Sequence, residues 1–303
     1  MAAATTIPAG LTSNPFTRAA RSLGTTLRLM ARSPAGLVGL VLVALFVLMG
    51  VFGPILVSQT SKPDVTAIYA APSAAHLLGT DSQGRDVLAQ VIRGGRVLLL
   101  IAVIGATIST LIAMTLGSLA AVLGGGMDSA VVTVTDFVLT IPQTPLLFVL
   151  AGFLHFTNPL FIAVIIGLLD WPGLTRAIRA QLFSLKERDY IEAARSLGLS
   201  TRRIMFSELL PNMMAYIVIN FALSMVGAIY QATGLYFLGF APLVGDNWGI
   251  MINLAWTQGA IFFQNSLAYI LAPVAAIVLV SIGLVMLSRS MEEVFNPRLR
   301  GGA

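Results

Sequence analysis

Cysteine is absent from the 303 residues, and histidine occurs only as His76 and His155. The first absence excludes a disulfide framework, a Cys-ligated metal site and an Fe–S cluster. The second leaves too few imidazoles for a His-rich metal site. Charge is scarce too: 10% of the residues are Asp, Glu, Lys or Arg, against about 25% in an ordinary soluble domain. Neither Lys62 nor Lys186 follows a glycine, so there is no Walker loop to cradle a nucleotide. No G-x-S-x-G elbow and no H-E-x-x-H occurs either, and two distant histidines make a poor catalytic dyad. Catalytic residues, a metal site and a cofactor of the chain's own are therefore not expected.

What is present is apolar. Hydrophobic residues make up 57% of the chain and the mean hydropathy is +0.88. A water-soluble fold of this size cannot bury that much apolar surface. The 14 prolines and 28 glycines follow no period, which membrane helices tolerate better than soluble ones. The composition describes an all-α multi-span membrane protein.

A spanning helix needs about 20 apolar residues. Runs that meet this lie at 36–57, 97–123, 129–154, 158–179, 213–235 and 267–288, which predicts six transmembrane helices. The first run is too long for a signal-peptide core and follows a basic segment, so it reads as an uncleaved anchor, although the Ala-rich stretch at 70–75 resembles a cleavage site. Fourteen of the 18 basic residues fall on one side if the N-terminus is cytoplasmic: Arg18, Arg21, Arg28 and Arg32, seven from Arg176 to Arg203, then Arg289, Arg298 and Arg300. Lys62, Arg85, Arg93 and Arg96 remain outside. By the positive-inside rule both termini are expected in the cytoplasm.

Within the second run, Gly105, Ser109, Ala113, Gly117 and Ala121 recur at every fourth position. Such a stripe lets another helix approach closely; it does not say whether that helix belongs to this chain. The expected organisation is a cytoplasmic segment 1–33, a first span and external loop 34–96, a transmembrane domain 97–289 and a cytoplasmic tail 290–303. A further external stretch at 236–266 contains Pro242, Gly245, Asp246 and Trp248 and has the make-up of a segment dipping back toward the membrane.

Polar side chains inside the spans are costly in lipid and are functional candidates for that reason. Asp136, Thr140, Gln143, Asn220, Ser224 and Gln231 either line a solute route or hydrogen-bond a neighbouring helix, and Asp170 is a second intramembrane acid.

The most charged stretch, 184–212, lies between the fourth and fifth runs. Helix formers over 186–197 are followed by Gly198, a helix stop. A second helix is expected from Ser200 or Thr201 toward Pro211. Ala193 and Ala194 remove bulk where a partner surface comes close, while Glu192 and Arg195 supply opposite charges three apart. The arrangement suits a protein-docking element better than a plain connector.

Glu192-Ala193-Ala194, Gly198 and Leu210-Pro211 match the spacing of the EAA loop of ABC importer permeases, E-A-A, three residues, Gly, nine residues, I-x-L-P. Glu208 stands where that pattern has Ile. The run from His76 to Asp86, with Gly79, Thr80, Asp81, Gly84, Arg85 and Asp86, closely resembles the external H-x-L-G-T-D-x-x-G-R-D signature of one branch, the C-type subunit of dipeptide, oligopeptide and nickel importers. Arg32-Ser33-Pro34, Gly95-Arg96, Trp171 through Gln181, and the 296–300 ending are similar to the same branch. Ala89-Gln90 replace its usual Ser-Arg, and Gln231 stands where it reads Glu.

That resemblance implies one half of a membrane pore in a prokaryotic plasma membrane, paired with a homologous B-type permease. It also implies two cytoplasmic ATPases, which would bind the ATP and Mg that this chain does not, and an extracytoplasmic solute-binding protein. Nucleic acid is not an expected partner. Tyr190, Glu192, Ala193, Ala194, Arg195, Gly198, Leu210 and Pro211 would form the ATPase-docking element, with Glu192 meeting a basic residue. Branch members carry peptides, oligosaccharides or nickel chelates. A stand-alone secondary carrier would need ion-coupling residues and an internal repeat, and neither stands out; an intramembrane hydrolase lacks a nucleophile–base pair.

Overall fold

The structure is a computed structural model that describes residues 29–31, 33–57, 63–154, 156 and 158–295. The expectations for 1–28, Arg32, Lys62, His155 and 296–300 lie outside the described residues. Helices dominate the rest: α1 (Pro34–Leu56), α2 (Val87–Leu123), α3 (Gly125–Leu139), α4 (Gln143–Leu154), α5 (Pro159–Lys186), α6 (Asp189–Ser196), α7 (Thr201–Ile204), α8 (Leu210–Phe237), α9 (Trp248–Thr257) and α10 (Leu267–Phe295). Five helical stretches are long and apolar enough to cross a membrane, and α3 with α4 makes a sixth if the bent pair is one span.

Local chemistry sets the boundaries. Ser33 caps α1 by accepting the Gly36 N–H at 3.1 Å, and Pro34 occupies the first helical position, where no N–H is needed. Asn158 and Pro159 open α5 in the same way. α2 begins ten residues before the expected start at 97, because Asp86 accepts the Ala89 N–H at 2.7 Å and fixes the first turn there. At 37 residues and about 1.5 Å per residue it is longer than the hydrocarbon core is thick, and its extra turns stand clear of the apolar run.

The third expected span is not continuous. α3 and α4 meet at 73° across 140–142. Pro142 carries no N–H to continue a helix and disfavours the helical conformation at the residue before it, while the Thr140 hydroxyl turns back to the Phe137 carbonyl at 2.6 Å. The 129–154 run is therefore two half-length helices.

α2 is the central element, and its small-residue stripe faces α5 of the same chain. Gly105, Ser109, Ala113, Gly117 and Ala121 are all buried. A Cβ on Gly117 would lie 2.9 Å from Ile178 Cγ2 and 3.0 Å from the Thr175 oxygen, and one on Gly167 would lie 2.8 Å from the Gly105 oxygen. Close backbone approach replaces the hydrophobic drive that lipid cannot supply. α8 and α1 pack on other faces of α2, and α10 closes against α1 and α8. Leu37, Val41, Leu45, Leu48, Val51 and Phe52 of α1 stay exposed, as side chains facing hydrocarbon do.

Candidate functional site

Three polar constellations occupy three levels of the bundle. At one end, α5 runs on to Lys186, whose Nζ donates to the Ala121 carbonyl at 2.5 Å near the last turn of α2. After a break at Glu187–Arg188 the chain forms α6. Ile191 and Ala194 are buried in a cluster with Ala121, Leu182, Ile204, Met205 and Leu209. Tyr190, Glu192, Ala193, Arg195 and Leu197 point away from it and are exposed. Ala193 thus lies bare on the outer face while its neighbour Ala194 packs inward.

Gly198 ends α6 at φ +74°, where a glycine carries no steric penalty. Ser200 caps α7, its Oγ accepting from the Arg203 N–H. α7 then passes through one π-helical turn, Met205–Leu209, directly into α8. Glu208 sits in that turn, half-buried, and accepts the Ser207 hydroxyl at 3.1 Å. Leu210 is half-buried and Pro211 exposed at the start of α8. The exposed face of α6, the glycine bend and the membrane helix thus follow one another directly along the chain. Leu197, 80% exposed, is the residue that sequence reasoning missed here; a Leu directly before a helix-ending glycine was the available signal.

At the opposite end, the signature residues build a loop held by one carboxylate. Asp81 is fully buried and accepts four hydrogen bonds: the backbone N–H groups of Gln83 and Arg85 at 2.8 Å each, Arg85 Nε at 2.8 Å and Gln90 Nε2 at 3.0 Å. Thr80 is buried, accepting the Ala70 N–H and donating to the Ala67 carbonyl. Asp86 caps α2 and pairs with His76 Nδ1 at 2.9 Å. Gly79 and Gly84 both have φ above +70°, and a Cβ on Gly84 would collide with the Asp64 carbonyl oxygen. Two hydrogen bonds from Thr66 hold the exposed Asp64 carboxyl below the usual carboxylate range.

Ser82 of the loop bonds Gln258, and the first turns of α2 are fastened to the same 236–266 stretch. Arg93 bonds Asp246 at 2.6 Å and the Val57 carbonyl at 2.8 Å. Trp248 is fully buried, donates to the Val91 carbonyl at 2.8 Å, and lies so close that a Cβ on Gly95 would sit 2.6 Å from its ring. Gly94-Gly95 is thus a socket for Trp248.

The third group runs from the Lys186 end toward the middle of the bundle. Arg179 holds Asp128 with two hydrogen bonds, one of 2.6 Å, and Arg176 pairs with Asp136 at 3.5 Å, so α5 grips α3 by charge. Asp136 and Thr140 are otherwise exposed. Gln143 Nε2 donates to the Leu169 carbonyl at 2.9 Å, and Gln231 Nε2 reaches both Asp170 oxygens at 3.0 and 2.9 Å. Asn220 donates to Tyr216 of its own helix at 2.8 Å; Ser224 is half-buried. The break in the third span, Gln143, Asp170 and Gln231 thus meet at one level, whereas Asn220 and Ser224 do not join them.

A profile of the family described as binding-protein-dependent transport system inner membrane component matches residues 113–301, more than half of the chain. The chain belongs to this family. The permease is 35% identical over 236 residues to a peptide permease protein of Brucella suis, covering 78% of the chain and 77% of that relative. It is 36% identical over 200 residues to an oligopeptide transport system permease protein of Mycobacterium tuberculosis, covering 66% and 69%. A dipeptide transport system permease protein of Alkalihalophilus pseudofirmus matches at 28% over 277 residues, 89% of the chain and 88% of the relative. The permease is a multi-pass subunit of an ABC importer in a prokaryotic plasma membrane, a transport component rather than an enzyme.

Proposed function

We propose that this permease forms half of a translocation pore for peptides, driven by ATP hydrolysis in partner subunits. The names of its relatives support the solute class. Its partners are a homologous B-type permease, two cytoplasmic ATPases that bind ATP and Mg, and an extracytoplasmic binding protein that delivers the solute; membrane lipid surrounds the rest. Both termini and the 184–212 loop face the cytoplasm, and the Asp81 loop faces outside.

The observation that carries the coupling part is the two-sidedness of α6. Ile191 and Ala194 fix it to the bundle, its other face is bare, and after a four-residue turn at 197–200 the chain runs through α7 and the π-helical turn straight into α8. An ATPase that grips Tyr190, Glu192, Ala193, Arg195 and Leu197 therefore pulls directly on a spanning helix. Glu192 meets a basic residue of the ATPase groove. Asp136, Thr140, Gln143 and Gln231, gathered around the break in the third span, border the solute path, in keeping with broken helices at transporter binding sites.

The absence of cysteine makes the orientation testable by labelling. Ala74→Cys and Ser196→Cys each place a thiol on an exposed position. In intact cells or spheroplasts an impermeant maleimide is expected to label Ala74→Cys and to reach Ser196→Cys only after permeabilisation. The reverse pattern would overturn the orientation and the docking assignment with it.

A further inference from the structure

We infer that Asp170, with Gln231, forms an ammonium-accepting site in the solute path, which takes the α-amino group of a peptide in transit. The inference rests on the peptide reading above and names the group that reads one end of the solute.

Asp170 lies eleven residues into α5, which at about 1.5 Å per residue places it roughly 17 Å along the helix and within the span. A carboxylate at that depth is expensive unless a cation or several donors meet it. Among the described residues, no Lys, Arg or His comes within ion-pair distance, although α5 itself carries Arg176 and Arg179. Both of those are committed to α3, to Asp136 and Asp128. The donor that reaches Asp170 is Gln231 Nε2, shared between its two oxygens.

With the Asp170 carboxyl ionised, this contact sets the amide orientation, since the reverse would place carbonyl oxygen against carboxylate. Gln231 Oε1 is thereby left buried with no hydrogen-bond partner. Two carboxylate oxygens so share one donating nitrogen, and a third acceptor beside them has none. Gly227, one turn from Gln231, carries no side chain toward the carboxylate; a Cβ there would be 3.9 Å from Asp170 Oδ2 and within 4 Å of no other atom outside its own turn. What the cluster lacks is a compact group with several N–H donors and a positive charge. A primary ammonium supplies three donors at one point, and it can satisfy both a carboxylate oxygen and an amide oxygen, which a single hydroxyl cannot.

The position agrees with this role. Gln143, at the start of α4, bonds the carbonyl of Leu169, the residue before Asp170, so the break in the third span borders the same site. Non-helical backbone at membrane depth is tolerated where it lines a cavity or is covered by protein.

The test uses the full importer in proteoliposomes with its binding protein at saturation. The solutes are a library of lysine-free tripeptides to pentapeptides and its N-acetylated counterpart, and uptake is read by mass spectrometry. Because capture by the binding protein is common to all variants, the quantity of interest is the change in the free-to-acetylated uptake ratio. Asp170→Asn is expected to lower that ratio by about tenfold, the loss of one charge-assisted hydrogen bond, and Asp170→Glu to restore most of it. Should Asp170→Asn prevent assembly, Gln231→Met keeps the volume, removes the amide oxygen and is expected to lower the ratio severalfold. An unchanged ratio in the assembled variant would overturn the site while leaving peptide transport intact. Absence of uptake of either library by the wild-type importer would instead overturn the peptide reading.

Discussion

Asp81→Ala is expected to destabilise the subunit strongly, although the residue lies in a loop. Its carboxylate has no exposed surface and serves four donors, one of them the Arg85 guanidinium, itself only 19% exposed. Removing one partner of a buried charge pair costs about 3–5 kcal/mol because the other charge is left unpaired, and a folded domain has only roughly 5–15 kcal/mol in hand. The loop also carries the cap of α2 at Asp86 and meets Gln258, at the end of α9, through Ser82, so its collapse releases the end of the central helix. Asp64→Ala in the same loop is the comparison. Asp64 is exposed and its side chain caps the short turn Val65–Ala67 through Thr66, and losing such a cap typically costs about 1 kcal/mol, well below the Asp81 cost. Fluorescence-detected gel filtration after heating gives the order: Asp64→Ala close to wild type, Asp81→Ala far below it. Equal melting of the two would mean that the buried carboxylate does not hold the loop.

The second large effect is at α6. Glu192→Lys and Ala193→Trp are expected to abolish stimulation of ATP hydrolysis by the loaded binding protein while the subunit inserts and assembles normally with its B-type partner. On the docking proposed above, Glu192→Lys would turn an attraction at the ATPase groove into a like-charge contact, and breaking a desolvated interface charge pair costs about 2–5 kcal/mol, one or more orders of magnitude in affinity. Ala193→Trp places a large ring on the bare face and acts by steric exclusion. Ala194→Trp separates docking from folding, because Ala194 is 7% exposed and packed with Ile191 and Leu209. That variant is expected to lower the melting temperature of the subunit itself, since overpacking a full core costs about 1–3 kcal/mol. Wild-type stimulation in Glu192→Lys and Ala193→Trp together would reduce the loop to a connector.

The contrast between neighbouring alanines shows where sequence reasoning stops. The EAA spacing locates the loop and the glycine that ends α6, while the cap of α7 is legible only as Ser200 or Thr201. The phase of an eight-residue helix depends on where it starts, however, and α5 continues to Lys186 rather than yielding there to α6. The stripe from Gly105 to Ala121 is legible in full because period alone defines a helix face; only its partner, α5, needs the fold. The start of α2 is hidden because Arg93 and Arg96 resemble loop residues until Asp246 is seen to meet Arg93. The kink in the third span is obscured by the apolar residues on both sides of Pro142, which satisfy a hydropathy criterion whatever their direction. Asp170 and Gln231 stand 61 residues apart, and no local pattern connects them. The signature motif is plain as a string, but a motif does not say that its central acid is buried and bonded rather than presented to a ligand.

On the reading proposed here the chain moves solute only as part of an ATP-driven assembly. The most direct measurement is uptake of a labelled peptide library into proteoliposomes containing the chain alone, the chain with its B-type partner, or the full complex with ATPases and binding protein. Each is assayed with and without ATP at the ATPase face and with and without an imposed proton or sodium gradient. Uptake is expected from the full complex only, dependent on ATP and on the binding protein and indifferent to the gradient. Gradient-driven uptake by the chain alone would contradict it.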